Sequence, residues 1–153
     1  MANSVLFASS IAMAILHTLA LLWCPRVNPL LATNVVFGVG TSVWNHGATS
    51  LTARVADRAM MWIGFCVDLH LVWTISHHPS WALCAATLVG AAALYWIAKV
   101  WVLWTARAIV SDLPKDSKLR PRKQKLSDLP HLCAHVSLTV THFVLMEALA
   151  VAA

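Results

Sequence analysis

Charge is scarce in this chain. Charged side chains make up 11% of its 153 residues, against about 25% in an average soluble domain. That leaves too little polarity to coat a globule in water. Acid is scarcer than base, with 6 Asp and Glu against 11 Lys and Arg. Cysteines number 4, and Cys24, Cys66, Cys84 and Cys133 form no CxxC pair, which argues against a disulfide framework or a cysteine-rich zinc module. Internal repeats and low-complexity tracts are absent. No soluble basic surface is offered, so nucleic acid is not an expected partner. What remains is apolar: 59% hydrophobic residues and a mean hydropathy of +0.72. This balance predicts an all-α, polytopic helix bundle in a bilayer, in one compact domain over residues 1–153.

Five spans are predicted, at about 5–23, 30–51, 55–76, 80–109 and 128–151. The first is apolar from Val5 to Trp23, is not preceded by Lys or Arg, and reads as a retained helix rather than a cleaved signal. The second follows Asn28-Pro29, where proline is tolerated at a helix start. The third ends at His77-His78-Pro79. The fourth has only Gly90 as an internal turn signal, so one long or tilted helix is expected. A basic loop at 111–127 precedes the fifth, whose expected cap is Ser127-Asp128. Trp23, Trp44, Trp81 and Trp104 fall near span ends, as an aromatic belt requires.

Five spans have a consequence for sidedness. The end of the second helix and the starts of the third and fifth lie on one face, together with Arg54, Arg58 and the basic loop. The positive-inside rule makes that face cytoplasmic, or its equivalent in an endomembrane or mitochondrial organelle.

Several polar side chains converge on this face. An ionisable group in hydrocarbon costs roughly 2.5–3.5 kcal/mol on insertion scales, so such groups usually have a partner or a task. Ser42 and His46 are i and i+4 on one helix face, as are His131 and His135. Two histidines one turn apart can grip a metal, and a third from a facing helix completes three nitrogens with one position open. That is the ligand count of catalytic zinc, which brings bound water to a pKa of about 7. Asp57 can bond or deprotonate that water. Ser42 can hold Asp57 or an imidazole, or donate to a developing oxyanion. Cys133, two residues from His131, falls on another helix face. Polar helix–helix contacts explain the same histidines and Ser42 without a metal. An interfacial cap, or pairing with Arg54 or Arg58, explains Asp57 alone.

The stretch SVWNHGATSLTARVADRAMMW, residues 42–62, resembles the second-to-third-helix motif of the alkaline ceramidases. These belong to the CREST superfamily with the adiponectin-receptor-like and Per1-like membrane proteins. HLCAH, from His131 to His135, is similar to their closing His-x3-His. The resemblance implies a helix bundle with an intramembrane zinc that hydrolyses lipid amide or ester bonds. It implies His46, His131 and His135 as ligands, Asp57 beside the water and Ser42 as the motif serine. The family has seven helices; five remain here, and the loss of two preserves the sidedness. Such a shortened chain also fits an accessory or scaffold subunit of a larger membrane complex, with or without its zinc.

Other intramembrane groups complete the reading. Asp68 lies about 17 Å along the third helix and Lys99 about 14 Å from the end of the fourth, a match in depth that predicts an ion pair. His17 and His142 allow an alternative cofactor, a haem b held by one histidine from each of two helices. Glu147 has no evident partner within the chain and suggests a neighbouring protein.

Overall fold

A computed structural model gives the architecture. It describes the backbone of residues 4–48, 50–112 and 119–152, and the side chains of 4–48, 50–100 and 128–151. The described residues form an all-α bundle of five helices: α1 (Ser4–Trp23), α2 (Pro29–Gly47), α3 (Leu51–Thr74), α4 (Trp81–Asp112) and α5 (Leu119–Ala152).

The caps follow from local chemistry. Asn28 accepts hydrogen bonds from the amides of Leu30 and Leu31, and Pro29 starts α2, where its missing N–H costs nothing. Ser50 accepts from the amide of Ala53 and so starts α3, four residues earlier than predicted. The long fourth helix is continuous through Gly90. α5 begins at Leu119, so residues 119–127, expected in the basic loop, are helical. Leu, Arg, Lys and Gln are good helix formers, and a proline at position 121 falls in the tolerant first turn. The basic side chains at 107–125, and those of Trp101 and Trp104, lie outside the described residues.

The helices pack as a closed ring, α1–α2–α3–α4–α5 and back to α1. α4 lies along α5 over much of its length, where Ser137 Oγ donates to the Thr87 carbonyl at 2.9 Å and Thr141 Oγ1 to Thr87 Oγ1 at 2.8 Å. Small hydroxyl residues of this kind join helices where lipid supplies no hydrophobic drive. The α3–α4 seam is the thinnest, although the two are consecutive.

The apolar core, which includes Leu31, Val35, Leu71, Leu88 and Leu145, fills the half of the bundle next to the α3–α4 turn. Outside, Leu22, Phe37, Val89, Val136 and Val151 are exposed, an arrangement suited to lipid and costly in water. Among the described residues, three helical stretches are long and apolar enough to cross a membrane, Ser4–Trp23, Trp81–Val100 and Asp128–Val151. α2 and α3 match them in length, at 19 and 24 residues, but carry Asn34, Ser42, His46, Asp57 and Asp68, which dilute their hydropathy. The exposed tryptophans Trp23, Trp44 and Trp81 stand at helix ends.

Candidate metal centre

His46 is in the last turn of α2, and His131 and His135 are one turn apart on α5. The ring brings these helices together at one end of the bundle, as the sidedness argument requires. All three imidazoles are buried, between 8% and 9% exposed. One nitrogen from each can be chosen so that all lie within 4.8 Å of one another. Ring centroids are 5.2 Å apart for His46–His131, 5.8 Å for His46–His135 and 4.8 Å for His131–His135. A tetrahedral zinc with nitrogens at 2.0–2.1 Å spaces them about 3.4 Å apart, so modest ring rotations close the site.

His46 Nε2 tests the fit. It is buried and has no hydrogen-bond partner among the described residues. Leaving such a nitrogen unpaired costs about 1–3 kcal/mol. A cation shared with His131 and His135 satisfies it without any further side chain.

The next layer of contacts orients the histidines and their neighbours. Ser9 Oγ donates its one proton to the Leu6 carbonyl at 2.8 Å. Its 2.9 Å contact with His135 Nδ1 suits the tautomer in which His135 donates to the serine. In that tautomer Nδ1 carries the proton and Nε2 is free to bind a cation. Ser10 Oγ also meets the Leu6 carbonyl, at 2.9 Å, and Ser42 Oγ at 3.1 Å, where either hydroxyl can donate. This differs from the expected bond to Asp57 or an imidazole. Asp57 instead accepts from Asn45 Nδ2 at 2.7 Å, a clamp between the end of α2 and the start of α3.

A cavity of about 210 Å³ joins these groups. Ser42, Asp57, His131 and His135 line one end; Asn34, Asp68 and His142 line the other. His142 lies seven residues beyond His135, or about 10 Å along the helix. Between the two ends the wall is apolar, with Met60, Met61, Phe65 and Leu88. Trp62 and Trp96 also line it and are exposed, so the cavity reaches the α3–α4 seam.

The deep end corrects the predicted Asp68–Lys99 pair. Asp68 is 2% exposed and bonds His142 Nε2 at 3.0 Å and Asn34 Nδ2 at 2.8 Å. Depth explains the error. Asp68 stands six residues before Thr74, whereas Lys99 stands eighteen beyond Trp81 across the same turn, a mismatch of about 18 Å. Measuring Lys99 from Ile109 misled because α4 overhangs α3. The histidines considered for haem, His17 and His142, touch directly, Nε2 to Nδ1, at 3.0 Å, with no gap between them for a porphyrin.

Sequence reasoning missed Ser9, Ser10, Asn45 and Tyr95, and it paired Lys99 with Asp68 rather than with Tyr95. Tyr95 meets the His131 ring edge-on at 5.5 Å, and Lys99 Nζ lies over Tyr95, 4.8 Å from the ring centre. The signal was present for Asn45, next to His46 and twelve residues before Asp57; Ser9 and Ser10 are indistinguishable in sequence from other small residues of a span. Cys133 is exposed, in keeping with its placement away from the ligands. No family model, curated protein or solved structure matches the chain.

Proposed function

We propose that the histidine cluster is a zinc site and that the chain is a membrane hydrolase of the CREST type acting on lipid amide or ester bonds. The observation that carries this reading is the unpartnered Nε2 of His46 in a cluster with two further buried imidazoles, which line one end of an apolar cavity. His46, His131 and His135 hold the ion. Zinc bound there supplies Lewis acidity and activated water.

The remaining work falls to the chain's own groups. The His135–Ser9 bond keeps a ligand nitrogen unprotonated and aimed inward. Asp57, oriented by Asn45, accepts a proton from water and delivers it to the leaving nitrogen or oxygen. Ser42 hydrogen-bonds the substrate's polar part while Ser10 holds its rotamer. The apolar wall holds a chain and excludes bulk water. All five helices cross the bilayer in this reading, and the metal-site face is cytoplasmic or its organellar equivalent.

Metal analysis of the purified protein, with hydrolysis of a panel of long-chain amides and esters, tests the proposal. One zinc per chain, lost with activity in His135→Ala, is the expected result. A metal-free protein whose properties are indifferent to His135→Ala refutes it.

The exposed Glu147 on α5 and exposed His70 on α3 favour a second role, as a subunit of a larger membrane complex. Polar groups on a lipid-facing surface are paired when a neighbour covers them. Native electrophoresis of gently solubilised membranes distinguishes a small free particle from an assembly, and a hydrolase can belong to either.

A further inference from the structure

Lys99 presents an unsolved charge. It is half-buried on α4, inside a segment apolar enough to span a membrane. Cations in such segments are ordinarily paired. Among the described residues, the ion pair within 4.0 Å is His142–Asp68, and Lys99 has none. Its close partner is the face of Tyr95. The charges that act on it are Arg58, which repels, and Asp57, which attracts. Asp57 is already engaged by Asn45. Among the described residues, one carboxylate therefore stands against two cations, beside a cluster of histidines suited to a further cation.

This surplus adjoins the cavity through Asp57 and Tyr95, which line it, although Lys99 and Arg58 do not line it themselves. Tyr95, beneath the ammonium, is part of the wall, next to exposed Trp96 at the α3–α4 seam. Apolar depth with a cationic rim is complementary to one class of molecule, an amphiphile with an anionic head and an apolar chain. A neutral lipid would leave the rim unneutralised in a medium of low dielectric.

We propose that Lys99, with Arg58, forms an anionic headgroup subsite at the rim of the cavity, so that the ligand is a single-chain lipid bearing a carboxylate or a phosphate. The inference rests on the reading of the cavity as a lipid site; it does not require the ion, because the subsite is built from side chains alone. Lys99 seats the head, Tyr95 holds the ammonium, and the chain lies along Met61 and Phe65 toward the deep end.

Bromine on a lipid chain quenches tryptophan on contact, and Trp62 and Trp96 line the cavity. The test titrates three dibrominated probes of equal chain length, a fatty acid, an alkyl phosphate and a fatty alcohol, into protein in phosphatidylcholine nanodiscs. Each titration is run with zinc loaded and with zinc stripped by chelator. At least one anionic probe binds about tenfold or more tighter than the alcohol, since each nearby cation contributes about 1 kcal/mol at a membrane surface. That preference persists without zinc, falls to near parity in Lys99→Gln and returns in Lys99→Arg, whose melting temperature verifies folding. The anionic arms separate a carboxylate ligand from a phosphate one. Equal binding of all three probes, an unchanged preference in Lys99→Gln, or a preference that vanishes on chelation overturns the subsite. If no probe binds, the lipid cavity falls as well, while the zinc content measured separately still stands or fails by itself.

Discussion

Ser9 Oγ and His135 Nδ1 are 2.9 Å apart across the α1–α5 interface, and Ser9 also meets the Leu6 carbonyl. The first helix, which adds no histidine to the cluster, thereby positions one that α5 adds, and favours its Nδ1–H tautomer if the serine proton stays on Leu6. Contacts of this kind, one layer behind a metal, typically alter affinity 10- to 100-fold. Ser9→Ala is expected to weaken zinc binding by about that factor while leaving the fold intact. His135→Ala is expected to abolish stoichiometric binding. Competitive titration against a chromophoric chelator reads both; unchanged affinity in Ser9→Ala removes the tautomer argument.

Asp57 and Asn45 separate binding from chemistry. Neither belongs to the histidine cluster, and the bond between them fixes the carboxylate at the cavity. Asp57→Asn is expected to retain zinc and lose about 10²- to 10⁴-fold in turnover, the usual contribution of a positioned acid–base group. Asn45→Ala frees the carboxylate without removing it, so its loss is smaller. Zinc content measured beside the rate of lipid hydrolysis checks the pair; full activity in Asp57→Asn excludes it as the base.

The grouping of the three histidines was legible because its signals were local. Ser42 with His46, and His131 with His135, are one helical turn apart, and the spacing alone sets each pair on one face. The sidedness of five helices then brings the pairs together. Partners of long-range groups were not legible. Which residue faces Asp68 depends on how far α4 overhangs α3 and on the rotation of α5, and neither is written in hydropathy. The start of α5 was misplaced for a related reason: polarity between Leu119 and Ser127 signals solvent, and solvent accommodates a helix as well as a loop.

Gly64 is a packing constraint disguised as a helix-breaker. A Cβ there would sit 2.9 Å from Asn34 Oδ1, and Asn34 is held by the Asp68 carboxylate and the Gly64 carbonyl. Replacing a helical glycine by alanine ordinarily stabilises by up to about 1 kcal/mol, whereas overpacking costs about 1–3 kcal/mol. Gly64→Ala is therefore expected to destabilise on balance. Gly40→Ala, with nothing within 4 Å of its new methyl, is expected to stabilise slightly. Unfolding in a mild-to-denaturing detergent series measures the two against each other, and equal shifts would show that α2 and α3 do not approach as closely at Gly64.

The chain of bonds around Asp68 has a direction. The Met13 carbonyl can only accept, so His17 donates through Nδ1 at 2.8 Å. In its neutral form its Nε2 then accepts from His142 Nδ1, and one proton lies between His142 Nε2 and Asp68 Oδ2. Removing either partner strands a buried polar group, a loss of about 3–5 kcal/mol when the pair is charged. Asp68→Ala and His142→Ala are each expected to destabilise on that scale. Their double mutant should show a coupling energy of about 0.5–3 kcal/mol, as residues in one network do. Asp68 and Lys99, separated by about 18 Å of depth, should be additive. Asp68→Asn is the informative variant: its amide can donate to His142 Nε2 while its oxygen still accepts from Asn34, so it is expected to be far milder than alanine. A loss equal to that of Asp68→Ala would mean that the charge, and not the bond network, holds this part of the bundle.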